Sequence, residues 1–160
     1  MKIEGKLFIL VTVLYVAFSC TPSIDTEMEQ SKVVDAVHTL YTSFEEKNMT
    51  LMSEVMAHDD NMRCFGTDIS EVHRSWSQWK QSHMAQFSSF DKAEIKSKDL
   101  EVYLSKAGNV AWFSDITDWT LIIQSEPIQM SDIRITGVLE KRDTVWRIVQ
   151  IHASVPQRSN

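Results

Sequence analysis

Two hydrophobic rhythms follow one another along this chain. Val33, Val34, Val37, Leu40, Tyr41 and Phe44 recur at intervals of three and four, the repeat of one face of a helix. The spacing predicts a first helix capped by Ser31 and ending near Asn48. Leu51, Met52, Val55 and Met56 continue the same interval after Thr50, a second cap, up to His58, and the polar run Asp59, Asp60, Asn61 breaks it. Residues 61–65 read as a short strand and Gly66, Thr67 and Asp68 as a turn. Trp76, Trp79, Lys80, His83 and Phe87 then mark a third helix within 72–87. Beyond it the pattern alternates every second residue, predicting four strands at 93–105, 109–123, 128–141 and 144–155. Short turns at 107–109 and 142–143 make successive strands antiparallel neighbours. Helices first and a long sheet afterwards is an α+β layout.

The N-terminus stands outside both rhythms. Lys2 and Lys6 precede an apolar run at 7–18 that stops at Ser19 and Cys20. The run is too short for a membrane-spanning helix and has the parts of a secretory signal. Residues 17–20, Ala-Phe-Ser-Cys, resemble the cleavage site of a bacterial lipoprotein, which makes 1–19 a signal peptide and Cys20 the acylated residue of a protein anchored at the cell envelope. Ordinary cleavage, with Cys20 lost or idle, is the alternative. Residues 20–30, polar and containing Pro22, read as a flexible tether, 31–156 as one domain and 157–160 as a tail. Roughly 140 residues remain after such a cut, enough for one real core. Cys64 would then be the only cysteine besides Cys20, so packing rather than a disulfide must hold the fold.

Composition narrows the partners. The net charge of −6 becomes one unit more negative once Lys2, Glu4 and Lys6 are removed, which argues against nucleic acid. Five Trp, seven Phe and three Tyr point to a well-filled interior with room for an aromatic-lined cavity. His38, His58, His73 and His83 show no metal-ligand spacing and read as exposed or capping residues, and no cofactor motif accompanies them.

The closing segment WRIVQIHASVP at 146–156, preceded by RITGVLEKRD at 134–143, is similar to the last hairpin of SnoaL-like proteins in the nuclear transport factor 2-like superfamily. It also resembles the association domain of calcium/calmodulin-dependent protein kinase. Leu40, Tyr41, Phe44, Lys47 and Asn48, then Phe65 to Asp68 with Trp76, agree with the opening helices and first strand of that superfamily. The resemblance implies a cone, a curved antiparallel sheet wrapped around three N-terminal helices, and dimerisation through the outer sheet face. The superfamily spans isomerases, cyclases and binding modules, so a fold of this kind does not name an activity.

Strand alternation divides the last strand into Trp146, Ile148, Gln150, His152 and Ser154 on one face and Val145, Arg147, Val149, Ile151 and Ala153 on the other. The first set runs from apolar to polar, as the wall of a pocket with a polar mouth would. The resemblance points Arg134 into the cone beside His152, where a guanidinium would grip a carboxylate-bearing ligand; pairing of Arg134 with Asp115 is the equal alternative. Asp115 is the candidate base of an isomerase or lyase-type enzyme, with His152 as a second acid/base. Trp76 is expected to line the cavity and Trp79 to pack beneath it. The expected ligand-binding set is therefore Tyr41, Phe65, Trp76, Trp112, Asp115, Arg134, His152 and Ser154. Three readings follow: a small-molecule-binding protein, an enzyme using the same pocket, or an assembly module whose pocket is filled by its own side chains.

Overall fold

The computed structural model describes residues 25–157, so the export segment and Cys20 lie outside the described residues. Helix α1, Thr26–Glu45, is capped by Asp25, whose side chain accepts from the Met28 amide at 3.0 Å. Glu27 and Glu29 in its first turn complement the positive end of the helix dipole. Ser31 is thus interior to the helix, and residues 26–30 belong to it rather than to a tether. The one apolar residue of this extra turn, Met28, is exposed, and the core-facing position is held by a carboxylate, Glu29, only 3% exposed. Trp146 Nε1 donates to it at 2.9 Å, and Lys141 and Lys32 pair with it at 2.8 Å each.

The helix ends with Lys47 in the left-handed region, φ 55°. The Lys47 amide bonds Phe44 O and the Asn48 amide bonds Ser43 O, the paired closure that satisfies the last carbonyls. Asn48 immediately caps α2, Met49–Val55, its side chain accepting from the amides of Thr50 and Leu51. The cap is therefore Asn48, not Thr50, and the helix stops before His58. Strands β1, Arg63–Phe65, and β2, Val72–His73, form a hairpin. Helix α3, Trp76–Phe87, starts at the Ser75 cap, later than its apolar spacing suggests.

The expected strand at 93–105 is two, β3, Lys92–Ser97, and β4, Glu101–Leu104, both pairing with successive stretches of β5, Val110–Ile123. Strands β6, Glu126–Arg142, and β7, Val145–Ser154, complete a sheet of order β2-β1-β7-β6-β5-β3, with β4 on the same edge of β5 as β3. All pairs are antiparallel except β1 with β7, which makes the curved, unclosed sheet mixed. The fold is α+β, with the helices on the concave side.

A bulge in β7 decides which residues that strand turns inward. Val138 pairs with Gln150 but Leu139 with Ile148, leaving Val149 as an extra residue. One inserted residue reverses the alternation beyond it. Trp146 and Ile148 face the core before the bulge, and Ile151 after it, with His152 exposed. The core joins these to Phe113 of β5, to Ile133, Ile135 and Leu139 of β6, and to Val33, Val37, Leu40 and Met52 of the helices. Gly137 admits the Phe113 ring: a Cβ there would lie 2.4 Å from Phe113 Cε1.

Candidate functional site

A cavity of about 100 Å³ opens between α1, α3 and the sheet. Leu40, Tyr41 and Phe44 of α1 meet Trp79, His83 and Gln86 of α3 across it, and Ile95, Trp119, Ile135, Ile151 and Ala153 form the sheet wall. Phe65, Thr67 and Glu71, on and after β1, stand at the exposed end. Helical spacing of four puts Trp79 and His83 on one face of α3, with ring centroids 3.9 Å apart. The indole N–H of Trp79 is directed to Met52 Sδ at 3.2 Å. Trp119 Nε1 donates to Thr117 Oγ1 at 2.7 Å.

His83 is buried, and its Nδ1 lies 3.0 Å from the Trp79 carbonyl. A carbonyl only accepts, so Nδ1 carries the hydrogen and Nε2 keeps its lone pair. Burial drives this imidazole down to about 4, against the smaller opposing effect of the carbonyl. His73 of β2, also on the cavity wall, is held below the ordinary histidine value by burial, with Glu71 acting the other way. The two imidazole centroids are 6.2 Å apart. Glu71 is tied down by Gln86 Nε2 at 2.6 Å and by the Asp68 amide at 3.0 Å.

Of the residues expected to bind, Tyr41 and Phe65 line the cavity. Asp115 points inward as its phase with Phe113 requires, yet it lies behind Tyr41 and is only 2% exposed. The Tyr41 hydroxyl donates to Asp115 Oδ2 at 3.1 Å and the Asp99 amide to Oδ1 at 3.2 Å. Burial, and then the Asp115 charge, raise the Tyr41 phenol far above its usual value. The other expected residues fall elsewhere. Trp112 has the opposite parity to Asp115 with no register shift between them, so it stands on the convex face, stacked on Tyr103 at 5.9 Å. Arg134 and Thr136 alternate with Ile133 and Ile135, and the isoleucines take the core; Arg134 is exposed on the convex face, away from both a cavity ligand and Asp115. The bulge at Val149 turns His152 and Ser154 outward, where they line a shallow outer groove with Phe65 and Val72. Trp76 stacks on His58 at 4.5 Å and leaves the cavity wall to Trp79.

His73 and His83, expected as exposed or capping residues, are instead buried on the cavity wall, and Trp119, in phase with Asp115 on β5, joins them there without having been assigned to the site. A signal for His83 exists: Trp79, His83 and Phe87 recur at intervals of four, so a residue on the aromatic face of α3 must share its surroundings. His73 carries none, because its two-residue strand is too short to show a rhythm.

The family described as SnoaL-like domain matches residues 33–158. Among solved structures, a nuclear transport factor 2-like superfamily protein from Salmonella enterica serovar Typhimurium is similar at a TM-score of 0.75, 18% identity and coverage of 84% of this chain and 95% of that one. A protein of the same fold family from Streptomyces avermitilis, provisionally assigned as a dehydratase, gives 0.72 and 15%, covering 82% and 99%. A provisionally assigned calcium/calmodulin dependent protein kinase II association domain from Xanthomonas campestris gives 0.68 and 20%, covering 79% and 87%. These likenesses show a shared fold. No curated protein sequence matches the chain.

Proposed function

The chain belongs to the SnoaL-like domain family of the nuclear transport factor 2-like superfamily, and from that premise we propose that its cone binds a small, uncharged, largely apolar molecule. One observation carries the reading: Phe44, Trp79 and Trp119 wall an open cavity that no lysine or arginine among the described residues lines, with Glu71 at its exposed end. A wall without a cation gives a carboxylate nothing to pair with, and Glu71 opposes it by like charge. A carboxylate-bearing ligand gripped by Arg134 therefore gives way to a neutral one. At about 100 Å³ the space is well below the roughly 300–1,000 Å³ of sites for drug-sized molecules, so the occupant is about the size of a single ring. An open cavity also speaks against a purely structural role in which side chains fill the cone.

Native mass spectrometry of protein isolated gently from its own cells tests this: a small neutral adduct is expected, and it should vanish in Ala153→Phe, which fills the wall. Recovery of bare protein that takes up no ring-sized molecule would overturn the reading.

A catalytic reading moves from Asp115 and His152 to the imidazoles. Asp115 is screened by Tyr41 and His152 faces outward, whereas His73 and His83 both meet the cavity. In an isomerase or lyase step a neutral His83 would take the proton. Exchange of ligand C–H for deuterium, lost in His83→Gln, would mark it.

Export and anchoring through Cys20 rest on residues 1–20 alone. Radiolabelled palmitate should enter the protein and fail to enter Cys20→Ser. Tyr103, Trp112 and Ile116, all exposed on the convex sheet face, are the proposed surface of a homodimer. Light scattering should report a dimer, and Trp112→Glu a monomer.

A further inference from the structure

The polar atoms of the cavity divide unevenly between donors and acceptors. Trp79 spends its indole N–H on Met52, Trp119 spends its own on Thr117, and Tyr41 donates its hydroxyl to Asp115. Glu71 offers only acceptors. On α3, His83 Nε2 has no hydrogen-bond partner among the described residues. No side-chain nitrogen or oxygen among them is both sealed and unpartnered. The lone pair of Nε2 therefore opens onto reachable space, and the space that His83 lines is the cavity. The leftover donors, the second N–H of Gln86 Nε2, an N–H of His73 and the hydroxyl of Thr67, stand beside Glu71 and the β1–β2 hairpin towards the exposed end.

We infer that the cavity selects a neutral, single-ring molecule bearing a hydrogen-bond donor, a phenol being the simplest, whose hydroxyl donates to Nε2 of His83 while its ring lies among Phe44, Trp79 and Trp119. The tautomer is set by the helix itself: the Trp79 carbonyl holds the Nδ1 hydrogen, so Nε2 can only accept. A ligand lacking the donor leaves a buried acceptor without a partner, which costs more than a donor–acceptor pair gains in water. An anionic ring meets the same lone pair and Glu71. The low affinity of this imidazole for protons, from its burial, keeps Nε2 free at neutral pH.

The inference rests on the proposed cavity reading, and three probes of one size separate the two. Phenol, toluene and benzoate are titrated into the purified protein at pH 7 by calorimetry, with the 15N resonance of His83 Nε2 followed in parallel. Phenol is expected to bind at least about tenfold more tightly than toluene, a factor equivalent to ~1.4 kcal/mol. Benzoate is expected not to bind, and the Nε2 resonance should move upfield with phenol and stay still with toluene. In His83→Leu, phenol should fall to the level of toluene. Equal binding of phenol and toluene, or phenol binding with Nε2 unmoved, would overturn the selection by His83 and leave the apolar cavity standing. Absence of binding by both, or a preference for benzoate, would overturn both. The resonance is read on the unsubstituted protein, so the result does not depend on His83→Leu folding.

Discussion

His83 concentrates the chemistry of the cavity in one ring, and its burial ties that chemistry to stability. Its folded value of about 4 lies below the ordinary 6.5. Between those values the unfolded chain takes up a proton that the folded one refuses, so stability is full above pH 6.5 and falls as the pH drops towards 4. Urea midpoints at pH 7 and pH 5 should differ for the native protein and differ less for His83→Gln. Some slope should remain, since His73 is displaced in the same direction. Gly137 matters through space alone. Gly137→Ala drives a methyl into the Phe113 ring and towards Gln150 O, 2.8 Å away, and should cost ~1–3 kcal/mol of unfolding free energy in a denaturant titration. At this scale the sequence was partly legible. Tyr41 shares the helix face of Val37, Leu40 and Phe44, and Asp115 the strand face of Phe113, so spacing groups each with its core neighbours, whereas Phe65 enters only through the resemblance. The place of Arg134 could not, since strand parity gives two sets of side chains and does not say which of them a sheet buries.

Single residues also set the limits of the elements. Asn48 closes α1 with its amide and opens α2 with its side chain. Asn48→Ala should therefore cost about 1 kcal/mol through the lost cap, measurable as a lowered denaturation midpoint, with cavity binding retained. The Val149 bulge has wider reach. Deleting Val149 would make Leu139–Ile148 and Val138–Gln150 consecutive pairs of a regular ladder, with Ile151 still inward and His152 still outward, so cooperative unfolding should be retained on a straighter strand. Val149→Ala keeps the residue count and should stay within about 1–2 kcal/mol of the native protein. The three helices and the three long strands were readable because each repeats its rhythm over many residues. The bulge was not, because an inserted residue leaves an apolar alternation looking continuous: Ile148, Val149 and Ile151 suit either face. The split between β3 and β4 was hidden in the same way, with Ile95, Val102 and Leu104 alternating on either side of the break at 98–100.

Across the whole molecule, Glu29 joins the first helix to the last hairpin. Hydrogen bonds from Lys141 and Lys32 outweigh the cost of its burial and hold its carboxyl at about 2, below the ordinary 4.5. Its contribution is thus complete above pH 4.5 and lost as the pH falls towards 2. Glu29→Gln retains an acceptor for Trp146 but loses both ion pairs, so its denaturation midpoint should be lower at pH 7 and change less across that acid range. Protonation of His83 acts in the higher window and Glu29 in the lower, so acid should weaken the protein in two successive stages.

The parallel seat of β1 against β7 has a consequence for the order of assembly. Residues 63–65 bond alongside 150–152, and Glu29 accepts from Trp146, 117 positions away. Both contacts wait on β7, the last strand of the sheet in chain order. Until that strand emerges, the nascent chain holds helices and hairpins with no partner to close them, and the loop entropy of such distant pairings makes completion slow.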